Sequence, residues 1–426
     1  MNSNATHTNR RTFVKQAAAL AGISILPRHV LGGRGYHAPS DQVTLGFIGG
    51  GRQALSLQRS FAKTGRAKIV ACAEVYRAKL AHFVAQLDSY AGQTAASCRS
   101  LIDFRELLAM EGVDAVVIAT PDHWHGVMAV AAARARKGIY CEKPLALTVG
   151  EGRAIVDAAA RYDVAFQTGS MQRSAQEFRQ AVNLVRNGVL GHIQRVTVNI
   201  GGPPKPYDLP KEPIPAGLDW SFWLGPNEPV HFNHELAPVT GDPLWARWRY
   251  YEGLGGGDMT DWGAHMFDIA QWALDMDGSG PVSVEPQVID GKPQLMYRYA
   301  SGVTMVQRDH EPGRHVVFGG TEGSLRVQRR KLETNPSGLA STVLRENAER
   351  VYHSDNHYVD FLNAVVHRSP TICPPETGHR TNTVCVLGNI AYRLNRALIW
   401  DPTRERFADD PMADALLTRG WQNGWV

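Results

Sequence analysis

Residues 43–54, VTLGFIGGGRQA, narrow the possible folds more than any other stretch. A short apolar run breaks into three consecutive glycines and restarts with helical spacing. That pattern predicts a β-strand, a tight turn and a helix N-terminus. Gly49 permits the turn, Gly51 lets backbone approach a ligand, and Ala54 is small enough for helix to pack on strand. Unpaired N–H groups at the helix start, across Gly50, Gly51, Arg52 and Gln53, would then face a pyrophosphate. Taken alone, the string also suits a glycine-rich βα turn in any α/β domain.

The discriminating residue is an acid about 20 positions further on, at the end of a second strand. Residues 68–74, KIVACAE, supply that strand and end in Glu74. A carboxylate there accepts both ribose hydroxyl protons of an adenosine and repels the added phosphate of NADP. The competing reading is a solvated surface glutamate. Arg77 stands close enough to blur the choice, so NAD is favoured over NADP.

The first forty residues have a different texture. Residues 9–15 read NRRTFVK, and a modest apolar segment, AAALAGISILP, follows at 17–27. Paired Arg10 and Arg11, with Phe13 and Lys15 behind them, match the twin-arginine pattern that exports folded proteins, although Asn9 stands where Ser or Thr is more usual. This predicts a periplasmic or otherwise exported protein; a basic amphipathic arm is the alternative. The segment is too short for a stable membrane span. No AxA-like cleavage site is evident, which leaves a membrane-tethered, uncleaved form open. Nothing later in the sequence is long or apolar enough to cross a bilayer.

A chain of 426 residues is too large for one ordinary core, and we divide it into an export segment and arm (1–40), a dinucleotide-binding domain (41–170) and a substrate-binding domain with a C-terminal tail (171–426). A net charge of +4 without a basic block argues against nucleic acid as the main partner. The five cysteines have no CxxC spacing, so a disulfide framework is not expected.

After Glu74 the strand–helix alternation continues. Helical patterns at 78–89, 103–110, after 125 and at 151–162 separate strand patterns at 114–120, 138–142 and 164–168. Single helices between strands mean a doubly wound, mostly parallel sheet, with ligands beyond the carboxyl ends of its strands. Thr120, Asp122, His123, His125, Glu142, Lys143 and Gln172 collect at those ends. From about Gly191 the texture changes to strand-like runs at 194–200, 295–299, 303–307, 315–319 and 324–327, with late helices at 357–366 and 382–396. This predicts an open, mostly antiparallel sheet with helices on one face. The long loop at 207–226 can reach back toward the first domain; Trp220 and Trp223 in it suit core packing better than a sugar-stacking wall.

Three residues carry the chemistry. Lys143 leaves a buried strand just before Pro144, so its ammonium is aimed from a strand end. Asp261 and His265 in GGGDMTDWGAHMFD are four apart, hence one helical turn apart on one face. A hydride leaves a carbinol carbon only if the hydroxyl proton also leaves, which requires a base within reach. His265 suits that task near neutral pH, Lys143 can stabilise the developing alkoxide, and Asp261 can bind a hydroxyl or orient the pair. A helix cap, a core histidine and a structural ion pair are the plainer alternatives.

The pieces GFIGGGRQA, ATPDHWH, the EKP of 142–144, WLGP at 223–226 and GGGDMTDWGAHMFD together resemble the glucose–fructose oxidoreductase / inositol dehydrogenase / rhizopine-catabolism (Gfo/Idh/MocA) family, and its exported branch in particular. The resemblance covers nearly all of the chain after the export segment. It implies NAD(P) on the first domain with Glu142 and His125 near it, Lys143, Asp261 and His265 at the substrate carbon of a sugar or polyol, and dimer or tetramer contacts through the second domain. Ala54 departs from the commonest third glycine and leaves the turn intact. Two other functions compete: glycoside cleavage by transient oxidation and elimination, and a non-catalytic sugar- or nucleotide-binding subunit. His123, His125 and Cys141 have metal-ligating side chains but poor spacing, so no metal is expected.

Overall fold

The glycine turn leads from the largely buried first strand into the helix Arg52–Lys63. β1 (Val43–Ile48) pairs in parallel with β2 (Ala67–Ala73) on one side and with β4 (Ala115–Ile118) on the other. Together with β3 (Arg99–Leu101), β5 (Gly138–Cys141) and β6 (Phe166–Thr168), they form a six-stranded parallel sheet in the order β3-β2-β1-β4-β5-β6. The strand order reverses between β1 and β4, and a ligand crevice opens at such a switch point. The computed structural model describes residues 42–420, and the expected export segment lies outside them.

Local chemistry sets the connecting helices. Asp103 accepts from the Arg105 N–H to start Phe104–Leu108, and Thr148 accepts from the Glu151 N–H to start Val149–Tyr162. Helix His357–His367, from late in the chain, places Phe361 and Leu362 in the core that holds Phe47, Phe61 and Tyr140.

The second sheet has nine strands: β7 (Ile193–Asn199), β8 (Ser283–Ile289), β9 (Lys292–Arg298), β10 (Thr304–Arg308), β11 (His315–Gly320), β12 (Ser324–Gln328), β13 (Lys331–Asn335), β14 (Leu398–Asp401) and β15 (Arg406–Phe407). They run in the order β13-β12-β11-β7-β10-β9-β8-β14-β15. The expected antiparallel character holds except between β7 and β10, which pair in parallel. Alternation in the sequence marks a strand but not the direction of its neighbour.

Helices Gln176–Arg186, Gly263–Ala273 and Pro375–Leu394 share one core with this sheet, through Phe178, Phe267 and Leu387. Pro375–Leu394 begins seven residues earlier than the apolar pattern at 382–396 suggests. Its polar first turns are satisfied by ion pairs: Arg153 bonds Glu376 and Glu405, and buried His379 bonds Glu405. Every residue of Gly263–Ala273 is buried, as in a helix packed on all sides. Arg173 fixes that helix further, reaching Asp268 at 2.8 Å and Asp277 at 2.7 Å from a fully buried position. Among the described residues, no helix is long and apolar enough to cross a membrane.

Candidate active site

Gly49 has φ +99°, and a Cβ on it would lie 2.7 Å from the Ala119 carbonyl oxygen, so only glycine fits where β1 passes β4. A Cβ on Gly51 would meet nothing within 4 Å, so the turn is open on its outer side. Helix Arg52–Lys63 starts there with no side-chain cap and no acid in its first turn, leaving its N–H groups for an anion. At the end of β2, the Glu74 carboxylate accepts from the Gly50 N–H at 2.7 Å and from the Tyr76 N–H at 2.9 Å. Two backbone donors fix the carboxylate, and its remaining lone pairs are free to accept ribose hydroxyls. The turn, the uncapped helix and the anchored acid fit a dinucleotide. Ala54 is fully buried and serves packing rather than contact.

A cavity of about 830 Å³ runs from this turn to the second sheet. Gly49, Gly51, Arg52, Gln53, Glu74 and Thr120 line one end, and Glu142, Lys143, Asp261 and His265 line the other. Gln53 donates to Glu142 at 2.9 Å, linking the two ends. Lys143, on a cis peptide before Pro144, donates to the Asp261 carboxylate at 2.7 Å and to its carbonyl at 3.0 Å. Arg249 Nε stands 3.5 Å from the other Asp261 oxygen. Burial opposes ionisation of Asp261, but Lys143 and Arg249 outweigh it and hold the carboxyl down at about 2.

The expectation that Asp261 and His265 share one continuous helix is corrected in detail. Asp261 closes the short helix Asp258–Asp261, and His265 lies in Gly263–Ala273, with Trp262 at the break. His265 still reaches the cavity, and its Nδ1 has no hydrogen-bond partner. Burial first, then Lys143 and Arg329, push its pKa well below the ordinary histidine value. These influences favour the neutral ring, whose unpartnered Nδ1 is free to accept a proton.

Other expected contacts fall elsewhere. Both ring nitrogens of His125 face backbone carbonyls, Pro144 at 2.8 Å and Thr120 at 3.1 Å, and burial lowers its pKa to about 4. It braces the loops that carry Thr120 and Lys143 and does not itself line the cavity. His123 is held between the Trp223 and Leu254 carbonyls. Among the described residues, no group of His, Cys, Asp and Glu could hold a metal ion. Gln172 lies beyond the dinucleotide end, accepting from Arg329 Nε at 2.9 Å and donating to the His265 carbonyl at 3.3 Å. Trp220 and Trp223 stack on each other at 4.6 Å in a buried cluster, as core packing requires. The 207–226 loop does reach the first domain, through a bridge between Tyr76 and Leu218.

Several lining residues escape sequence reasoning. A strap at 238–249 lines the cavity along most of its length. Arg52 donates to its Pro243 carbonyl at 3.0 Å, and Trp245 lies between the guanidinium of Arg52 at 4.9 Å and that of Arg249 at 5.1 Å. The alternating Trp and Arg of WARWRYY was the available signal. Asp122, expected at the strand ends, lines the cavity almost fully buried with an unpartnered Oδ2, whereas Arg329 at a hairpin tip was missed as a site residue.

The oxidoreductase family description for an NAD-binding Rossmann fold matches residues 43–170, and that for the family's C-terminal alpha/beta domain matches residues 175–426. The chain belongs to the Gfo/Idh/MocA oxidoreductase family. NAD is therefore the cofactor of its first domain. Family relatives include a glycosyl hydrolase family 109 protein of Stenotrophomonas maltophilia, 28% identical over 246 residues, or 54% of this chain and 53% of that one. The chain spans about half the length of the curated relatives it matches. Among solved structures of the same fold, an NAD-binding protein from Listeria innocua superposes with a TM-score of 0.59 at 19% identity, covering 84% of this chain and 97% of that one. An aldose-aldose oxidoreductase from Caulobacter crescentus, complexed with glycerol, gives 0.59 at 20% identity, with 84% and 99% covered.

Proposed function

We propose that the protein oxidises or reduces a sugar or polyol at a carbinol carbon, using a tightly held NAD. One observation carries this reading: Lys143, Asp261 and His265 line the same cavity as the glycine turn and Glu74. In the oxidation direction the carbinol C–H leaves as hydride, the hydroxyl proton leaves to a base, and a carbonyl remains. NAD, when bound, supplies the hydride acceptor. His265, held neutral, accepts the hydroxyl proton. Lys143 donates to the oxygen as negative charge develops, and Asp261 fixes the ammonium by two contacts. Glu74 and the helix at Arg52 orient the dinucleotide. The strap at 238–249, fastened by Arg52, screens the cavity from water and supports slow cofactor release. The name of the Caulobacter oxidoreductase agrees with sugar chemistry.

The finer parts of the proposal rest on sequence. Arg10, Arg11, Phe13 and Lys15 support twin-arginine export to the periplasm. Homo-oligomerisation as a dimer or tetramer follows the family resemblance, and light scattering on the purified protein tests it.

The names of the curated relatives favour a second reading, glycoside cleavage, in which oxidation acidifies a neighbouring C–H, the aglycone is eliminated, and the hydride returns. One experiment separates the two. The protein is incubated with sugars, inositols and their aryl glycosides while nicotinamide absorbance is followed. Lasting reduction by free sugars, or transfer of deuterium from one sugar to a second, supports oxidoreduction; aglycone release without net reduction supports cleavage; the absence of all three would overturn both.

A further inference from the structure

Three cations, Lys143, Arg249 and Arg329, line the substrate end of the cavity. Lys143 and Arg249 both lean on the single carboxylate of Asp261. Burial pushes the other two carboxyls, Asp122 and Glu142, upward toward their neutral forms. Arg329, exposed at its hairpin tip, makes no ion pair among the described residues, and Asp261 acts on it only from a distance. Its Nε donates to Gln172, its guanidinium lies 4.8 Å over the Trp262 ring, and its two terminal nitrogens have no partner among the described residues.

The guanidinium is also placed in advance. Arg329 and Arg330 form the tip of the β12–β13 hairpin, closed by the Gln328–Lys331 pair. Arg330 has φ +64°, uncommon for a residue with a side chain, and its N–H donates to Glu177 at 2.7 Å. Gln172 ties Arg329 to the His265 backbone. Trp262 meets His265 edge-on at 5.8 Å, so the free fork stands one aromatic ring from the proposed base.

We propose that Arg329 is a specificity-determining residue that takes an oxyanion on the substrate, so the sugar carries a carboxylate or a phosphate. This rests on the reading of the cavity as a sugar oxidoreductase site. A planar fork with two parallel donors matches either group.

The test is calorimetric binding to the protein as isolated, with matched sets of hexose, hexuronate and hexose 6-phosphate in the gluco, galacto and manno series. Nicotinamide reduction is followed in parallel. Wild type should bind an acidic member about 10- to 100-fold tighter than its neutral counterpart. Arg329→Gln should abolish that preference while neutral-sugar affinity stays within about threefold, and Arg329→Lys, which keeps the charge and loses the fork, should keep part of it. Preference for hexuronates identifies a carboxylate, and preference for 6-phosphates a phosphate. No preference in wild type, or equal weakening of neutral and acidic sugars in both variants, overturns the inference. Discrimination in binding without reduction supports it and overturns the hydride-transfer reading. Reduction without discrimination does the reverse.

Discussion

The Lys143 ammonium meets Asp261 twice, at its carboxylate (2.7 Å) and at its backbone carbonyl (3.0 Å). The contact joins the end of β5 in the first sheet to the short helix that precedes the buried helix Gly263–Ala273. It spans 118 positions of sequence, and both side chains keep less than a fifth of their surface exposed. Two of the three ammonium donors are thereby used, and the third remains for a substrate oxygen. The same contact that docks the domains thus fixes the cation where charge would develop.

Replacing Lys143 with Met should lower turnover by about a hundredfold or more while NAD affinity changes little, because the lost donor matters most as charge builds on oxygen. Steady-state rates beside cofactor titration check this. Unchanged turnover on the substrate identified by the panel would remove Lys143 from the chemistry.

Asp261 also makes stability depend on pH. Its folded pKa, about 2, lies below its ordinary value of 3.8. A depressed carboxylate contributes stability that is present above the ordinary value and lost as pH falls through the folded one. The contribution is about 2 kcal/mol at neutral pH. Asp261→Asn lacks it, so the gap in unfolding free energy between wild type and variant should narrow as pH falls from 5 to 2. A constant gap in denaturant titrations across that range would contradict the assignment.

These tests concern residues the sequence could identify, and the reason is locality. The Gly49–Gly51 turn, Glu74 at a strand end, Lys143 before Pro144 and the Asp261/His265 pair each belong to a short motif whose geometry follows from its own backbone. Arg249, Arg329 and Trp245 were not legible, because their roles depend on contacts across the chain: Arg329 with Gln172, and Trp245 with Arg52. His125 shows the opposite error. A histidine at a strand end has the same sequence whether it faces a ligand or, as here, two backbone carbonyls. In the same way, nothing in residues 357–367 says that their helix packs on the first sheet rather than the second.

Glu74 should set cofactor choice. Its carboxylate is anchored at the end of β2 by the Gly50 and Tyr76 N–H groups. Glu74→Ser should weaken NAD binding and raise the relative affinity for NADP, since it removes a like charge. Fluorescence titration with both dinucleotides reads the ratio. A wild-type preference for NADP would mean that Glu74 does not face the ribose.

The last prediction joins the proposed export to the strap. No free nicotinamide pool is expected outside the cytoplasm, so an exported enzyme of this kind must carry its cofactor out and regenerate it without release. Export of the folded protein through Arg10 and Arg11 allows that, whereas threading an unfolded chain would strip the ligand. Retention then depends on whatever closes the cavity, and we assign that to the strap at 238–249, which lines it and is held by the Arg52–Pro243 hydrogen bond and by the contacts of Trp245 with Arg52 and Arg249. Each cation–π contact contributes about 0.5–1 kcal/mol at an exposed site. Loss of both with Trp245→Ala should speed NAD release roughly 5- to 30-fold if they act only in the closed state. Protein isolated from the periplasm without added cofactor should contain near-stoichiometric nicotinamide, and the Trp245→Ala form should lose it on dialysis. Deuterium placed on the reacting carbon of the sugar should then appear in a second sugar or in the same product, with little in external NAD. Wild-type protein that is empty yet fully active with diffusible NAD would overturn retention. Protein confined to the cytoplasm would remove the need for it, leaving a sugar or polyol dehydrogenase that exchanges its cofactor.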